Sequence, residues 1–180
     1  MKLKQILLAG VAAGAANMAM ATTGTITFNG EVVTDTCAIT VDGASSTMVT
    51  LPTVQASSLN ESAKTAGTTN FSLYIKNCGA AVDARGLTLT FTDPNGFDTT
   101  NTNLLKNTAS TTPATNVGIE LATGSDFTAP IAFAGAAYTT PTHLTATGAV
   151  TLPFSARYYA TDVATAGAVT STLGWTINYQ

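Results

Sequence analysis

Charge is what this chain has least of. Asp, Glu, Lys and Arg make up 9% of its 180 residues, seven basic against ten acidic. Nucleic-acid binding needs a basic face, and so few Lys and Arg exclude one. Histidine occurs once, as His143, and cysteine twice, as Cys37 and Cys78. Two distant thiols and one imidazole do not make a metal-ligand set. His143 sits in a Pro141-Thr142-His143-Leu144 stretch with no carboxylate nearby, which reads as a solvated loop side chain. No Gly-x-Ser-x-Gly elbow, phosphate loop or metal-ligand spacing occurs. Asp93, Asp98 and Asp126 are scattered among turn residues, where Asp caps local backbone, and Glu61 reads the same way. The chain therefore reads as neither an enzyme nor a carrier of a metal or cofactor. Helical periodicity of useful length is also missing, as are linkers and internal repeats.

The one long apolar stretch is at the start. Lys2 and Lys4 precede an apolar run from Ile6 to Ala16, and Ala19-Met20-Ala21 is a small-x-small cleavage pattern. Residues 1–21 read as an export signal. No later run approaches the roughly 18 apolar residues of a membrane span. Cleavage after Ala21 leaves 159 residues, one domain with room for a real core. Loss of Lys2 and Lys4 leaves five basic residues against ten acidic, a net charge of −5. Export compartments are oxidising, so Cys37 and Cys78 are expected to pair. In the chain-entropy model a loop of that length stabilises by roughly 4 kcal/mol.

Thr, Ala, Ser, Asn and Gly fill the space that charge leaves. A surface poor in charge suits a protein that packs against copies of itself, since soluble monomers usually stay apart through mixed charge. A threonine-rich extracellular β-domain that is merely neutral outside fits the composition equally well.

Along the chain the signals are short β-type runs parted by Gly, Pro, Asn and Asp. Thr36 to Val41 alternates and stops at the turn pair Asp42-Gly43. Met48 to Leu51 is a short run ended by Pro52, and Val54 to Gly67 reads as loop. Asn70 to Cys78 alternates, with Phe71, Leu73 and Ile75 on one face. Gly86 to Thr92 repeats the pattern with Leu87, Leu89 and Phe91, closed by Asp93-Pro94-Asn95-Gly96. Phe97 to Asn116 reads as an exposed excursion. Val117, Ile119 and Leu121 mark a further strand, and Pro130 to Pro141 is irregular. Val150, Leu152, Phe154 and Ala156 alternate through Pro153, and Leu173, Trp175, Ile177 and Tyr179 alternate to the end. Many short strands with turn signals read as an all-β sandwich.

Two stretches stand apart. Gly24, Ile26, Phe28, Gly30 and Val32 share one parity, giving the segment after the signal one apolar edge and one threonine-rich edge. It is too short to bury that edge by folding on itself and needs a groove, its own or a neighbour's. The final strand has no chain after it, so it can lie beside an unfilled position.

Together these features resemble the major pilins of chaperone–usher fimbriae, close to the type 1 group. Tyr179 is the penultimate residue, Gly167 stands fourteenth from the end, and Leu173, Trp175 and Ile177 alternate between them. Pro153 to Thr161 resembles the family's penultimate-strand sequence, and Gly24 to Val33 its donor strand and the start of strand A. Cys37 and Cys78 match the family's disulfide between the first two strands.

The resemblance implies an incomplete immunoglobulin-like β-sandwich that lacks its last strand and is completed by donor-strand exchange. Residues 1–21 would be the signal, 22–33 the donor strand with the start of strand A, and 34–180 the pilin domain. Ile26 and Phe28 would fill apolar pockets of the next subunit's groove, with Gly24 where the pocket is too shallow for a side chain. Gly167, Leu173, Trp175, Ile177, Tyr179 and Gln180 would form the C-terminal region that a periplasmic chaperone holds before an outer-membrane usher hands the subunit on. Expected partners are identical subunits, chaperone and usher, and the destination is the cell surface. One departure from the family is the short arm, with only Thr22-Thr23 ahead of Gly24. The competing readings are a minor adaptor or receptor-binding pilin, and a monomeric carbohydrate-binding sandwich with Tyr138, Tyr158 and Tyr159 as its weak aromatic candidates.

Overall fold

A computed structural model describes residues 37–43, 47–78, 86–95, 98, 103–133, 138–140 and 149–179. Among these the fold is all-β apart from one 3-10 turn, Ala56–Leu59. No helix among them is long and apolar enough to cross a membrane.

Among the described residues nine strands form two sheets. They are β1 (Ala38–Val41), β2 (Thr65–Lys76), β3 (Leu87–Thr92), β4 (Leu104–Lys106), β5 (Val117–Thr123), β6 (Ala129–Pro130), β7 (Tyr138–Thr139), β8 (Val150–Ala160) and β9 (Gly174–Tyr179). The larger sheet runs β1-β2-β8-β5-β4, with β6 paired to β5; the smaller runs β7-β3-β9. Every pairing between these strands is antiparallel.

The alternation read from the sequence becomes the core. Phe71, Leu73 and Ile75 of β2, Leu152, Phe154 and Ala156 of β8, and Ile119 and Leu121 of β5 face Leu87, Leu89 and Phe91 of β3 in one buried cluster. Phe91 bridges the two layers edge-on to Phe154, centroids 5.3 Å apart, while Phe154 stacks on Phe71 at 5.7 Å. Aromatic rings favour such edge-to-face and offset geometries, so these contacts fix sheet spacing as well as burying area.

Several boundaries differ from the sequence reading. Asp42-Gly43 is the expected turn, with φ of 48° and 75°. The stretch 54–67, read as loop, contains the 3-10 turn and the first residues of β2. Strand β2 starts that early because it absorbs an irregularity: its register against β8 shifts between Ala66 and Thr69, and Gly67 there takes a φ of 67°. A glycine in the left-handed region is what such a bulge requires. The excursion 97–116 was expected to be exposed, yet it carries β4, whose Leu104 and Leu105 are buried. The irregular stretch 130–141 holds β7 and the end of β6.

Candidate functional site

The most unusual feature of the core is where it stops. Strand β9 ends the smaller sheet and pairs with β3 alone among the described residues. The register sets Phe91 opposite Trp175, Leu89 opposite Ile177 and Leu87 opposite Tyr179. Directly paired residues share a face, so Trp175 and Ile177 point the way the core residues of β3 point. Phe91 and Leu89 are 1% and 0% exposed, whereas Trp175 is 43% exposed. Cover is lost in one strand step of about 4.8 Å. Ile177 and Leu173, which immediately precedes β9, are half-buried against the main core cluster.

A second stretch is similarly half covered. Residues 47–55 lie outside the named strands. Val49 and Leu51 are nevertheless packed, partly exposed, on the same core cluster as Ile177. Along β9, the side away from β3 is a backbone edge with no strand partner among the described residues.

The other face of β3 and β9 carries Thr88, Thr90, Thr92, Thr176 and Asn178, without a charge. Asn178 Nδ2 donates to Thr90 Oγ1 at 3.0 Å, and Thr90 and Thr139 share a hydroxyl contact at 3.0 Å. This is the threonine that composition had flagged, arrayed on one strand surface.

Gly167, grouped with the C-terminal strand in the sequence reading, lies before it, where residues 161–173 return from β8 to β9. Ala168 forms a parallel bridge to Pro113. A Cβ on Gly167 would stand against the amide nitrogen of Ala114 and 2.6 Å from both Pro113 C and Thr112 O. The glycine is required by space, since all three neighbours are backbone.

The disulfide joins Cys37 and Cys78, with Cα atoms 4.3 Å apart, next to the paired ends of β1 and β2. Gly24, Ile26, Phe28, the export signal, His143, Gln180 and the side chain of Tyr179 lie outside the described residues.

Two of the carboxylates read as turn caps do cap their turns. Asp93 Oδ1 accepts from Asn95 N at 2.8 Å, and Asp126 Oδ1 accepts from Thr128 N at 3.1 Å and Thr128 Oγ1 at 2.9 Å. The Thr128 amide, then its hydroxyl, holds the Asp126 carboxyl below its ordinary value. Glu61 does not cap backbone; it pairs with Lys64 at 2.8 Å, whose hydrogen bond lowers its pKa. Sequence reasoning missed Glu120 on β5, which accepts from Arg157 Nε at 2.7 Å across the β5–β8 pair. The guanidinium lies 3.9 Å from the Phe127 ring centroid. No group of three or more His, Cys, Asp or Glu among the described residues is placed to hold a metal.

A two-sheet sandwich whose last strand has one strand neighbour among the described residues, with a disulfide beside its first strand pair, is an immunoglobulin-like fold. The comparisons say which. The family model described as "Fimbrial protein" matches residues 26–180, and the chain belongs to that family. It is 41% identical to the F17 fimbrial protein of Escherichia coli over 98% of each chain. It is 39% identical to the major fimbrial subunit SMF-1 of Stenotrophomonas maltophilia, over 90% of this chain and 95% of that one. Among solved structures it is similar to an antigen and type I fimbria protein of Burkholderia pseudomallei, with TM-score 0.57, 28% identity, and cover of 81% of this chain and 100% of that one. The fold is also that of a chaperone–usher pilus structure, with TM-score 0.59, 19% identity, and cover of 92% and 100%. The chain is thus a structural, non-catalytic fimbrial subunit, exported and assembled at the cell surface.

Proposed function

We propose that this subunit polymerises by donor-strand exchange, lending its N-terminal strand to the open edge of the next copy. This mode of strand addition is well known for chaperone–pilin systems. The observation that supports it here is the abrupt loss of cover from Phe91 to Trp175. An inserted strand beside β9 supplies main-chain partners for its bare edge and closes the core over Trp175 and Ile177. Val49 and Leu51 are placed on the same core to form the opposite wall. Covering the exposed part of Trp175, about 100 Å² at about 25 cal/mol per Å², contributes about 2–3 kcal/mol.

In this reading residues 1–21 are removed on export, 22–33 form the donor strand with the start of the first strand, and 34–180 form the acceptor domain. Ile26 and Phe28 enter the groove, and Gly24 takes the shallow end of it. A periplasmic chaperone holds the edge first, with Tyr179 and Gln180 presenting the strand and carboxylate to it, and an outer-membrane usher exchanges it for the arm. The reading places the chain in the fimbrial shaft.

Gly24→Arg and Phe28→Asp test this together. Each is expected to give a subunit that accumulates in the periplasm and does not join fibres. Polymer ladders on unheated gels matching wild type for both variants would overturn the proposal.

A further inference from the structure

Among the described residues strand β9 has a single neighbour along its six residues, and contacts of the segment before it help fix where it begins. The segment leading into it has no strand to lie in, yet it is bonded at close intervals to residues 106–115. Ala114 N donates to Ala168 O at 2.9 Å, Ala168 N to Thr112 O at 2.8 Å, and Thr108 N to Thr170 O at 2.7 Å. The Thr108 hydroxyl also donates to Thr170 O, and the Ser171 hydroxyl to Lys106 O.

One side chain stands at the centre of this crossing. Asn107, just past β4, donates through Nδ2 to Ala114 O and to Ala168 O, both at 2.9 Å. Its Oδ1 accepts from Ala109 N and from Thr170 N, both at 3.0 Å. Both amide hydrogens and both oxygen lone pairs are thereby used, the full capacity of an Asn side chain. Only an amide can do this, since the site asks for two donors and two acceptors in one plane. Two of the bonds hold the strap 107–114 in its own turn, and two reach across to 168 and 170.

We infer that Asn107 is a positioning residue for the acceptor edge. It ties the strap to the segment before Leu173 and so sets the register and rigidity of β9 before any donor arrives. This rests on the donor-strand reading of β9, but the clamp itself is a property of the single chain. A free strand held at its start presents its edge in one register; a slipping strand turns its apolar residues to the wrong face.

The test uses the disulfide-bonded mature chain with Asn107→Ala, Asn107→Asp and, as a control for general loss of stability, Val150→Ala on β8. Two quantities are read: hydrogen exchange of amides 173–179, and uptake of a labelled synthetic peptide spanning residues 22–33. Asn107→Ala is expected to speed exchange in 173–179 about tenfold and to lower peptide uptake at least threefold. Asn107→Asp, which keeps the acceptors and loses the donors, should fall between it and wild type. Val150→Ala should leave exchange in 173–179 within about twofold of wild type.

Faster exchange confined to 107–116, with β9 and peptide uptake unchanged, would overturn the inference, as would Val150→Ala loosening β9 as much as Asn107→Ala. Should wild type itself take up no peptide, donor exchange fails while the exchange data still decide the clamp.

Discussion

Replacing Gly167 by Ala adds one methyl group and should cost as much as removing a large side chain from the core. The added carbon meets Ala114 N, Pro113 C and Thr112 O, all backbone, so no rotamer change relieves it. Either the 112–114 strap or the 167–168 segment must move. That movement strains the bonds Ala168 N to Thr112 O and Ala114 N to Ala168 O, which fix the crossing. Two backbone hydrogen bonds contribute about 0.5–1.5 kcal/mol each, and overpacking of a tight site costs about 1–3 kcal/mol. The expected loss is therefore about 2–6 kcal/mol, against a total stability typically of about 5–15 kcal/mol. Urea unfolding of the disulfide-bonded mature chain measures it. Gly43→Ala is the comparison: its φ is 75°, but a Cβ there meets nothing within 4 Å, so only the backbone penalty of about 1–2 kcal/mol applies. If Gly167→Ala unfolds within about 0.5 kcal/mol of wild type, the steric account of this glycine is wrong.

Arg157→Ala should cost about 3 kcal/mol, because it strands the Glu120 carboxylate, whose side chain is 8% exposed. The double variant Glu120→Gln, Arg157→Met should cost less than Arg157→Ala alone, and the reverse order in urea unfolding would contradict the pairing argument. Removing the disulfide with Cys37→Ala and Cys78→Ala should lower stability by about 4 kcal/mol, since the crosslink closes a separation of 41 residues; an unchanged urea midpoint would refute this. The Asp126 carboxyl should titrate below its ordinary value in the folded chain. Its depressed pKa means that its capping is fully present above the ordinary value and is lost as pH falls through the lowered one. Carboxyl NMR of Asp126 checks this, and a titration at or above the ordinary carboxylate value would contradict the Thr128 contacts.

Alternation of apolar residues was enough to find the strands that build the core, because β2, β3 and β8 each turn one apolar parity into it. It failed where burial does not alternate. Leu104 and Leu105 are adjacent and both buried, set in a run of Thr and Asn that otherwise reads as loop. Gly67 looked like the end of a loop because a bulge and a break look alike in one dimension. Glu120 and Arg157 were unreadable as a pair, since their meeting depends on the β5–β8 register across 37 positions. Asn107 is one Asn among many, and nothing local separates a turn residue from a four-bond clamp. The disulfide was legible because export and a count of two left one pairing. Gly167 was noticed by resemblance alone; its reason, backbone crossing backbone, is a tertiary fact.

In the proposed reading the edge of β9 away from β3 receives an apolar arm, residues 22–33. Whose groove receives that arm is the question on which the account turns. Chains carrying Phe28→Cys with Trp175→Cys, and Ile26→Cys with Trp175→Cys to cover a second register, should be assembled, oxidised, heat-denatured and run without reductant. Donor exchange predicts a ladder of covalent multiples that collapses to monomer on reduction. A crosslink found only within single chains, with no ladder in either variant, would contradict it.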